Sequence, residues 1–258
     1  MMFFKNLVRH MPYAIYAAKC ELKKEVYGSY LNWLWWILEP LSFMAVYILI
    51  FGYFLNCKEP HFEAFIFIGL TVWNFFNKTA CTSVKLLKSN RSIISKVFIP
   101  KYMFVIGKML VNGFKMGISF CIVFLLMLVC RIPLSFHVLF LIPCLRALFL
   151  ITFGFCCIML HWSAFVLDLQ QAIQIVLRLV FYLSGVFYSL EGKAGTLGLL
   201  LERLNPLAFL ITSLRRCLIY QSAPNLLWLG VWLAVGLILS AIGVRMIQKN
   251  ENSYAKVV

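Results

Sequence analysis

The chain has 258 residues, 63% of them hydrophobic, and a mean hydropathy of +0.90. Soluble domains are about 45–50% apolar, so this composition excludes a water-soluble globular fold and points to an all-α integral membrane protein. In a soluble protein a net charge of +15 would suggest nucleic acid. Here the positive-inside bias and anionic lipid headgroups account for it, and no nucleic-acid partner is expected.

In chain order, residues 1–31 come first. They lack an apolar core followed by a small-residue cleavage site, so no cleavable signal peptide is expected. Residues 8–30 mix Lys and Glu with Tyr, Leu and Val. That suits a helix lying in the membrane interface, with a disordered basic tail as the alternative. A helix needs about 20 mostly apolar residues to cross a bilayer. Six crossings are expected, at Trp33–Leu55, Phe62–Thr82, Tyr102–Cys130, Ser135–Leu160, Gln170–Leu190 and Asn225–Ile247. The apolar runs are continuous, which does not suit a closed barrel of alternating strands. The whole is one domain, 1–258: an N-terminal segment 1–31, a six-span core 32–247 and a tail 248–258.

Within the first crossing, Glu39 lies about two turns from its start. An intramembrane carboxylate is a functional candidate, but a structural ion pair with a basic neighbour is the simpler reading. Arg146 and Arg178, inside later crossings, should face protein or water. The connection Lys85–Lys101 (KLLKSNRSIISKVFIPK) carries five Lys/Arg and no acid. The connection 191–224 holds Glu191, Glu202, Arg203, Asn205, Pro206, Arg215 and Arg216, with two apolar stretches, Leu197–Leu201 and Leu207–Leu214, too short to span. They read as re-entrant or interfacial helices, with a plain amphipathic surface loop as the alternative.

Lys and Arg set the orientation. The N-terminal segment, the second connection with its flanks, and the tail carry fifteen of them; the opposite side carries six. The bias places both termini in the cytoplasm. There is no G-x-x-x-x-G-K-[ST] sequence, so the chain has no P-loop. His10, His61, His137 and His161 are isolated, the nine cysteines form no C-x-x-C pair, and no metal, cofactor or catalytic residue is expected. Acids are scarce in the crossings, which argues against proton coupling.

Five local patterns run in order from about residue 20 to 220. They are Tyr27–Trp35 ending in Leu38-Glu39-Pro40-Leu41; Gly69-Leu70-Thr71-Val72-Trp73-Asn74-Phe75-Phe76; Asn90 with Lys96-Val97-Phe98-Ile99-Pro100-Lys101; Asp168 with Tyr182-Leu183-Ser184-Gly185-Val186-Phe187-Tyr188; and Asn205-Pro206 with Arg215. Together they resemble an ABC-2 type transporter permease of the branch that exports O-antigen, capsular polysaccharide or teichoic acid. Departures are Glu25 where the family often has Arg, Asn32 for Gly, Ile99 for Phe, Leu167 for Arg and Gly185 for Pro.

The resemblance implies six transmembrane helices, an N-terminal interfacial helix, a cytoplasmic coupling helix and re-entrant outer helices before the last span. It implies a homodimer in the bacterial inner membrane, joined by two copies of a separate cytoplasmic ATPase that binds ATP and Mg. The cargo would be a lipid-linked glycan. Asn90, Arg91, Lys96, Phe98 and Pro100 would form the ATPase contact, Trp73, Phe76, Tyr182 and Tyr188 the channel lining, and Asn205, Pro206 and Arg215 the outer gate. Alternative readings are an ABC-2 drug or lipid exporter, and a membrane-embedded lipid-linked sugar transferase using Asp168 and His161.

Overall fold

The computed structural model describes residues 2–27, 31–54, 59–133, 135–166, 168–189, 195–251 and 254. Gly28, Ser29 and Tyr30 of the first pattern, and Leu55, Lys58, Leu167, Leu190, Glu191, Lys193 and Lys256, lie outside the described residues. Among the described residues all regular structure is helical. The elements are α1 (Met2–Val26), α2 (Trp35–Tyr47), α3 (Phe62–Ser83), α4 (Leu86–Ser89), α5 (Arg91–Ile94), α6 (Tyr102–Val129), α7 (Leu141–Ser163), α8 (Leu169–Leu183), α9 (Gly195–Leu204), α10 (Pro206–Leu218) and α11 (Leu226–Lys249). A 3₁₀ turn at Asn32–Leu34 leads into α2, which continues as a π-helical stretch Ile48–Phe54, and a second 3₁₀ turn at Phe136–Phe140 leads into α7.

Four helical segments among the described residues are long and apolar enough to cross a membrane: Asn32–Phe54, Tyr102–Val129, Phe136–Ser163 and Leu226–Lys249. The other two expected crossings differ for physical reasons. The Phe62–Thr82 segment is the single helix α3, but Glu63, Asn74, Asn77 and Lys78 dilute its apolar character. It is also heavily enclosed, with α2, α6, α7, α8 and α10 around it. A helix sheathed in protein has no need of a uniformly lipid-compatible surface. The Gln170–Leu190 segment stops being helical at Leu183. Fifteen residues at 1.5 Å each make about 22 Å, short of the roughly 30 Å hydrocarbon core. Its remaining apolar residues, Val186 and Phe187, are buried in a non-helical turn.

α1 is helical through Val26, which sets aside the disordered tail. It runs alongside the first half of α6: Tyr13 packs edge-on to Phe104, Glu21 pairs with Lys108, and Glu25 pairs with Lys115 at 2.6 Å. α10 is buried along almost its whole length, so the 191–224 connection is not a plain surface loop. Its start follows from sequence: Asn205 accepts from the backbone N–H groups of Leu207 and Ala208, and Pro206 occupies the first helical position.

α7 and α11 form the most extensive helix pair. Gly154 makes it possible, because a Cβ there would lie 2.6 Å from the Leu239–Ser240 backbone. Small residues let membrane helices approach closely where van der Waals packing drives association, and Ser240 Oγ donates to Leu150 O across the interface at 2.9 Å. Gly154→Ala should therefore destabilise the fold by about 1–3 kcal/mol through overpacking. Gly117→Ala, where nothing lies within 4 Å, should be neutral or stabilising by up to about 1 kcal/mol. Thermal unfolding of the two variants in detergent checks the contrast.

Candidate functional site

The motif residues gather at opposite ends of the helical bundle. At the end reached by the N-terminal third of α3, Arg215 of α10 is 3% exposed, and each of its three guanidinium nitrogens donates to a backbone carbonyl. Nε donates to Phe65 O at 3.1 Å, Nη1 to Gly185 O at 2.8 Å and Nη2 to Val186 O at 2.7 Å. The group also lies 3.4 Å from the Phe65 ring centroid. The fork geometry of arginine suits such multi-carbonyl recognition, and a desolvated cation over an aromatic face gains further attraction. Gly69 leaves the room required, since a Cβ there would sit 2.7 Å from Nη2. Gly185 adopts φ 63°, a left-handed conformation favoured by glycine, and so presents its carbonyl and that of Val186 to Arg215.

The other end of α10 holds the same turn. Asn205 Nδ2 donates to Ser184 Oγ at 3.0 Å, and Ser184 Oγ donates back to Val180 O at 2.7 Å. The expected gate residues Asn205 and Arg215 are thus brought together on one turn, Ser184–Val186, while Pro206 fixes the start of the helix that carries them. Gly69 and Gly185, which complete this clamp, stand in the sequence only as parts of their patterns. The signal there is a glycine inside an apolar helix and another breaking one.

The four expected channel residues lie in or beside one aromatic cluster. Trp73 is 5% exposed and packs on Phe181 with centroids 5.0 Å apart. Phe76 is also buried and packs on Phe155. Phe187 joins the group to Phe181, Tyr47 and Phe51, stacking on Phe51 at 4.6 Å. Tyr188 is half-buried and its hydroxyl donates to Tyr182 O at 2.7 Å. Tyr182 itself is 64% exposed. It continues the open face of α8 formed by Ile175, Val176 and Leu179, on which Arg178 is also exposed.

At the other end, the Lys85–Lys101 connection is two single turns, α4 and α5, hinged at Asn90. Its Nδ2 donates to Leu86 O at 2.8 Å, and its own carbonyl accepts from Ile93 N and Ile94 N. Leu86, Leu87, Ile99 and Pro100 are buried and anchor the connection. Arg91, Ile93, Lys96, Val97 and Phe98 are exposed, Phe98 to 70%. The result is a cationic patch with an apolar centre, held on a buried base. Lys101, 4% exposed, lies under Phe98 at 5.3 Å and pairs with Glu251 beyond α11 at 3.5 Å. Tyr254 is buried and shares a 2.6 Å hydrogen bond with His161 Nδ1. Burial, and then the charge of Glu251, raise the Tyr254 pKa, so its hydroxyl stays protonated, and the imidazole tautomer sets which partner donates. The tail therefore ties the exit of the connection to the ends of α7 and α11. His161 is committed to this tie, and the described residues include no group of three or more His, Cys, Asp or Glu side chains placed to hold a metal ion.

Glu39 forms the anticipated ion pair, with Lys78 Nζ 2.8 Å from its carboxylate. Arg146 is exposed on α7.

The Arg215 clamp generates a double-mutant prediction. Arg215→Lys should cost about 2–4 kcal/mol, because a single ammonium leaves buried carbonyls unpaired. Gly69→Ala alone should cost about 1–3 kcal/mol. In the Arg215→Lys background the Gly69→Ala penalty should shrink, since the Nη2 atom it strikes is gone. Equal penalties in both backgrounds, read from thermal unfolding, would disconnect the two positions.

No protein-family model matches the chain. It is 26% identical over 241 residues to an O-antigen export system permease protein RfbA of Klebsiella pneumoniae, covering 92% of each chain. A second Klebsiella pneumoniae protein of that name is 23% identical over 239 residues, again covering 92% of each. The Myxococcus xanthus protein of that name is 23% identical over 253 residues, covering 98% of this chain and 97% of its own length. The chain is thus similar over almost its whole length to proteins named O-antigen export system permeases.

Proposed function

We propose that the chain is the permease subunit of an ABC transporter that exports a lipid-linked cell-surface polysaccharide across the bacterial inner membrane. The observation that carries this reading is the end-to-end similarity to proteins named O-antigen export permeases. In this reading the chain crosses the membrane six times, with α3 and α8 as the second and fifth crossings, both termini cytoplasmic, and α1 along the cytoplasmic interface. ATP is hydrolysed on a separate subunit, consistent with a sequence that lacks a P-loop.

The exposed patch of Arg91, Ile93, Lys96, Val97 and Phe98 is the ATPase docking surface, with Asn90 and Pro100 setting its angle. The tail contacts at Lys101 and His161 brace it against α7 and α11, so that force on the patch reaches the bundle rather than dissipating in a loose loop. Two copies of the chain enclose the path. Exposed Arg178 on apolar α8 supports this, because an arginine facing lipid at mid-membrane costs about 2.5–3.5 kcal/mol on insertion scales. A partner copy or a water-lined conduit removes that cost. Tyr182 lies on the same open face and contacts the passing glycan, with Trp73 and Phe76 packed behind it. The Ser184–Val186 turn, held by Asn205 and Arg215, forms the outer gate.

Reversal of Arg91 and Lys96 to Glu should leave the protein folded and membrane-inserted but lower glycan exported per ATP hydrolysed by about tenfold or more. Reconstituted vesicles containing permease and ATPase provide the measurement, and unchanged coupling would remove the patch from the docking surface. Tyr182→Ala is the cleaner probe of the path. It should slow glycan flux with little change in stability, whereas Trp73→Ala should cost about 3–5 kcal/mol through its buried packing. Unchanged flux in Tyr182→Ala would place that face outside the path.

A further inference from the structure

Two cysteines far apart in sequence meet at the Arg215 end of the bundle. Cys144 lies in the first turn of α7, just after the 3₁₀ turn Phe136–Phe140, and Cys217 lies in the last turn of α10, two residues beyond Arg215. α7 and α10 pack against each other. Cys144 is 0% exposed and Cys217 1%, and their thiols hydrogen-bond to one another. A thiol is a weak donor and a weak acceptor, so this bond by itself holds the two helices only loosely. It does bring two sulfurs from different helices into direct contact, the first requirement of a disulfide.

The surroundings keep the pair together. On one side the Arg215 clamp ties the same turn of α10 to Phe65, Gly185 and Val186. On the other, α7 is seated on α11 through Gly154 and the Ser240 hydrogen bond. Just beyond Cys217, Gln221 Nε2 donates to Pro133 O at 3.2 Å, which joins the segment after α10 to the loop before α7. Separating the two helices here would break at least one of these ties. Cysteines in the other half of the bundle are engaged differently. Cys156 meets the Ser83 hydroxyl, and the half-buried Cys81 donates to Asn77 Oδ1 at 3.6 Å. Both lie in the halves of α7 and α3 nearer the Lys85–Lys101 connection, the end that the export reading places in the cytoplasm, where thiols stay reduced.

We propose that Cys144 and Cys217 close into a disulfide that fastens the C-terminal end of α10 to α7. The export reading turns this end outward, and the oxidising conditions that the bond requires rest on that orientation; the meeting of the two thiols does not. Disulfides form and persist in the bacterial periplasm. The oxidant is a protein disulfide of that compartment. One sulfur of this chain, as thiolate, attacks it, forming a mixed disulfide and releasing one partner thiol. The second sulfur then displaces the other partner thiol and completes the Cys144–Cys217 bond. The two thiol protons pass to the partner, whose disulfide ends as a dithiol. Both sulfurs are sealed in the packed structure, so the exchange takes place before α10 docks, and the closed bond is afterwards shielded from reductants. The closed loop spans about 70 residues, long enough for the cross-link to restrict the unfolded chain strongly. With α10 fastened to the α7–α11 pair, the moving part of the outer gate is the Ser184–Val186 turn and not α10.

The test takes the full-length chain from bacterial membranes, denatures it in N-ethylmaleimide to trap free thiols, and maps the digested peptides by mass spectrometry with and without reduction. The expected result is a linked peptide pair containing Cys144 and Cys217, unlabelled until reduced. In thermal unfolding in detergent, reductant should lower the melting temperature of the wild type by several degrees and leave that of Cys144→Ala with Cys217→Ala unmoved. A Phe136→Cys variant, at a site that is almost fully exposed, reports the orientation through labelling above the wild-type level by a membrane-impermeant maleimide added to spheroplasts. Labelling of both Cys144 and Cys217 without reduction, or a wild-type melting temperature indifferent to reductant, would overturn the proposal. If the Phe136→Cys reporter is nevertheless labelled, that failure leaves the export reading intact; an unlabelled reporter shows that the outward orientation has failed as well.

Discussion

The buried guanidinium of Arg215 organises one end of this bundle. Burying a guanidinium costs several kcal/mol unless its donors are satisfied, and three carbonyls from two distant parts of the chain satisfy it. That requirement explains features that look unrelated along the sequence. Gly69 must lack a side chain, Gly185 must take a left-handed turn, and α8 must end early enough for the carbonyls that follow it to point at α10. Asn205 then fixes the other end of α10 to the same turn. The short apolar segment before the last crossing is thereby a buried half-helix whose two ends grip the termination of α8. Irregular backbone at membrane depth is tolerated where protein buries it, and this clamp supplies the burial.

The opposite end is built differently. There the chain exposes charge and grease together on the connection after α3, and secures them from below with Leu86, Leu87, Ile99 and Pro100. Ion pairs between α1 and α6 at Glu21–Lys108 and Glu25–Lys115 join the N-terminal helix to this end. Lys101–Glu251 and His161–Tyr254 join the tail to it. A patch braced on both sides can transmit a push into the helices, which is the mechanical demand that the proposed coupling to a separate ATPase would make. A firmly braced end and a clamp on non-helical backbone suit a molecule pushed at one end and opened at the other.

Much of this was legible in the sequence because long apolar runs leave few alternatives. Five of the six expected segments appear as helices within a few residues of their expected bounds, four of them long and apolar enough to cross a membrane. The fifth run was legible in composition but not in length. Ser184-Gly185 interrupts it, and the apolar residues that follow are buried by tertiary packing rather than by helix formation. Trp73 and Phe76 illustrate another limit. Aromatic content marked their helix as special, yet only the fold reveals that Phe181 of α8 covers Trp73 and Phe155 of α7 covers Phe76. Lys78 shows a third. Counted as one more positive charge near the connection, it reads as a topological marker. Only its register with Asn74 and Thr71, and the matching register of Asn112, Lys115 and Ser119 on α6, reveals a polar seam. Arg215 was legible as a motif residue, but its carbonyl partners, and Gly69 far away along the chain, were not, because nothing local records which backbone a long side chain will reach.

The central claim is that this chain moves a lipid-linked surface glycan outward. The most direct test deletes its gene in the native host and follows that glycan on both faces of the inner membrane. The account predicts that surface polysaccharide disappears, lipid-linked polymer accumulates on the cytoplasmic face, and re-expression of the chain restores export only when the partner ATPase is present. Normal surface polysaccharide in the deletion strain, or restoration by the chain without any ATPase, would contradict it.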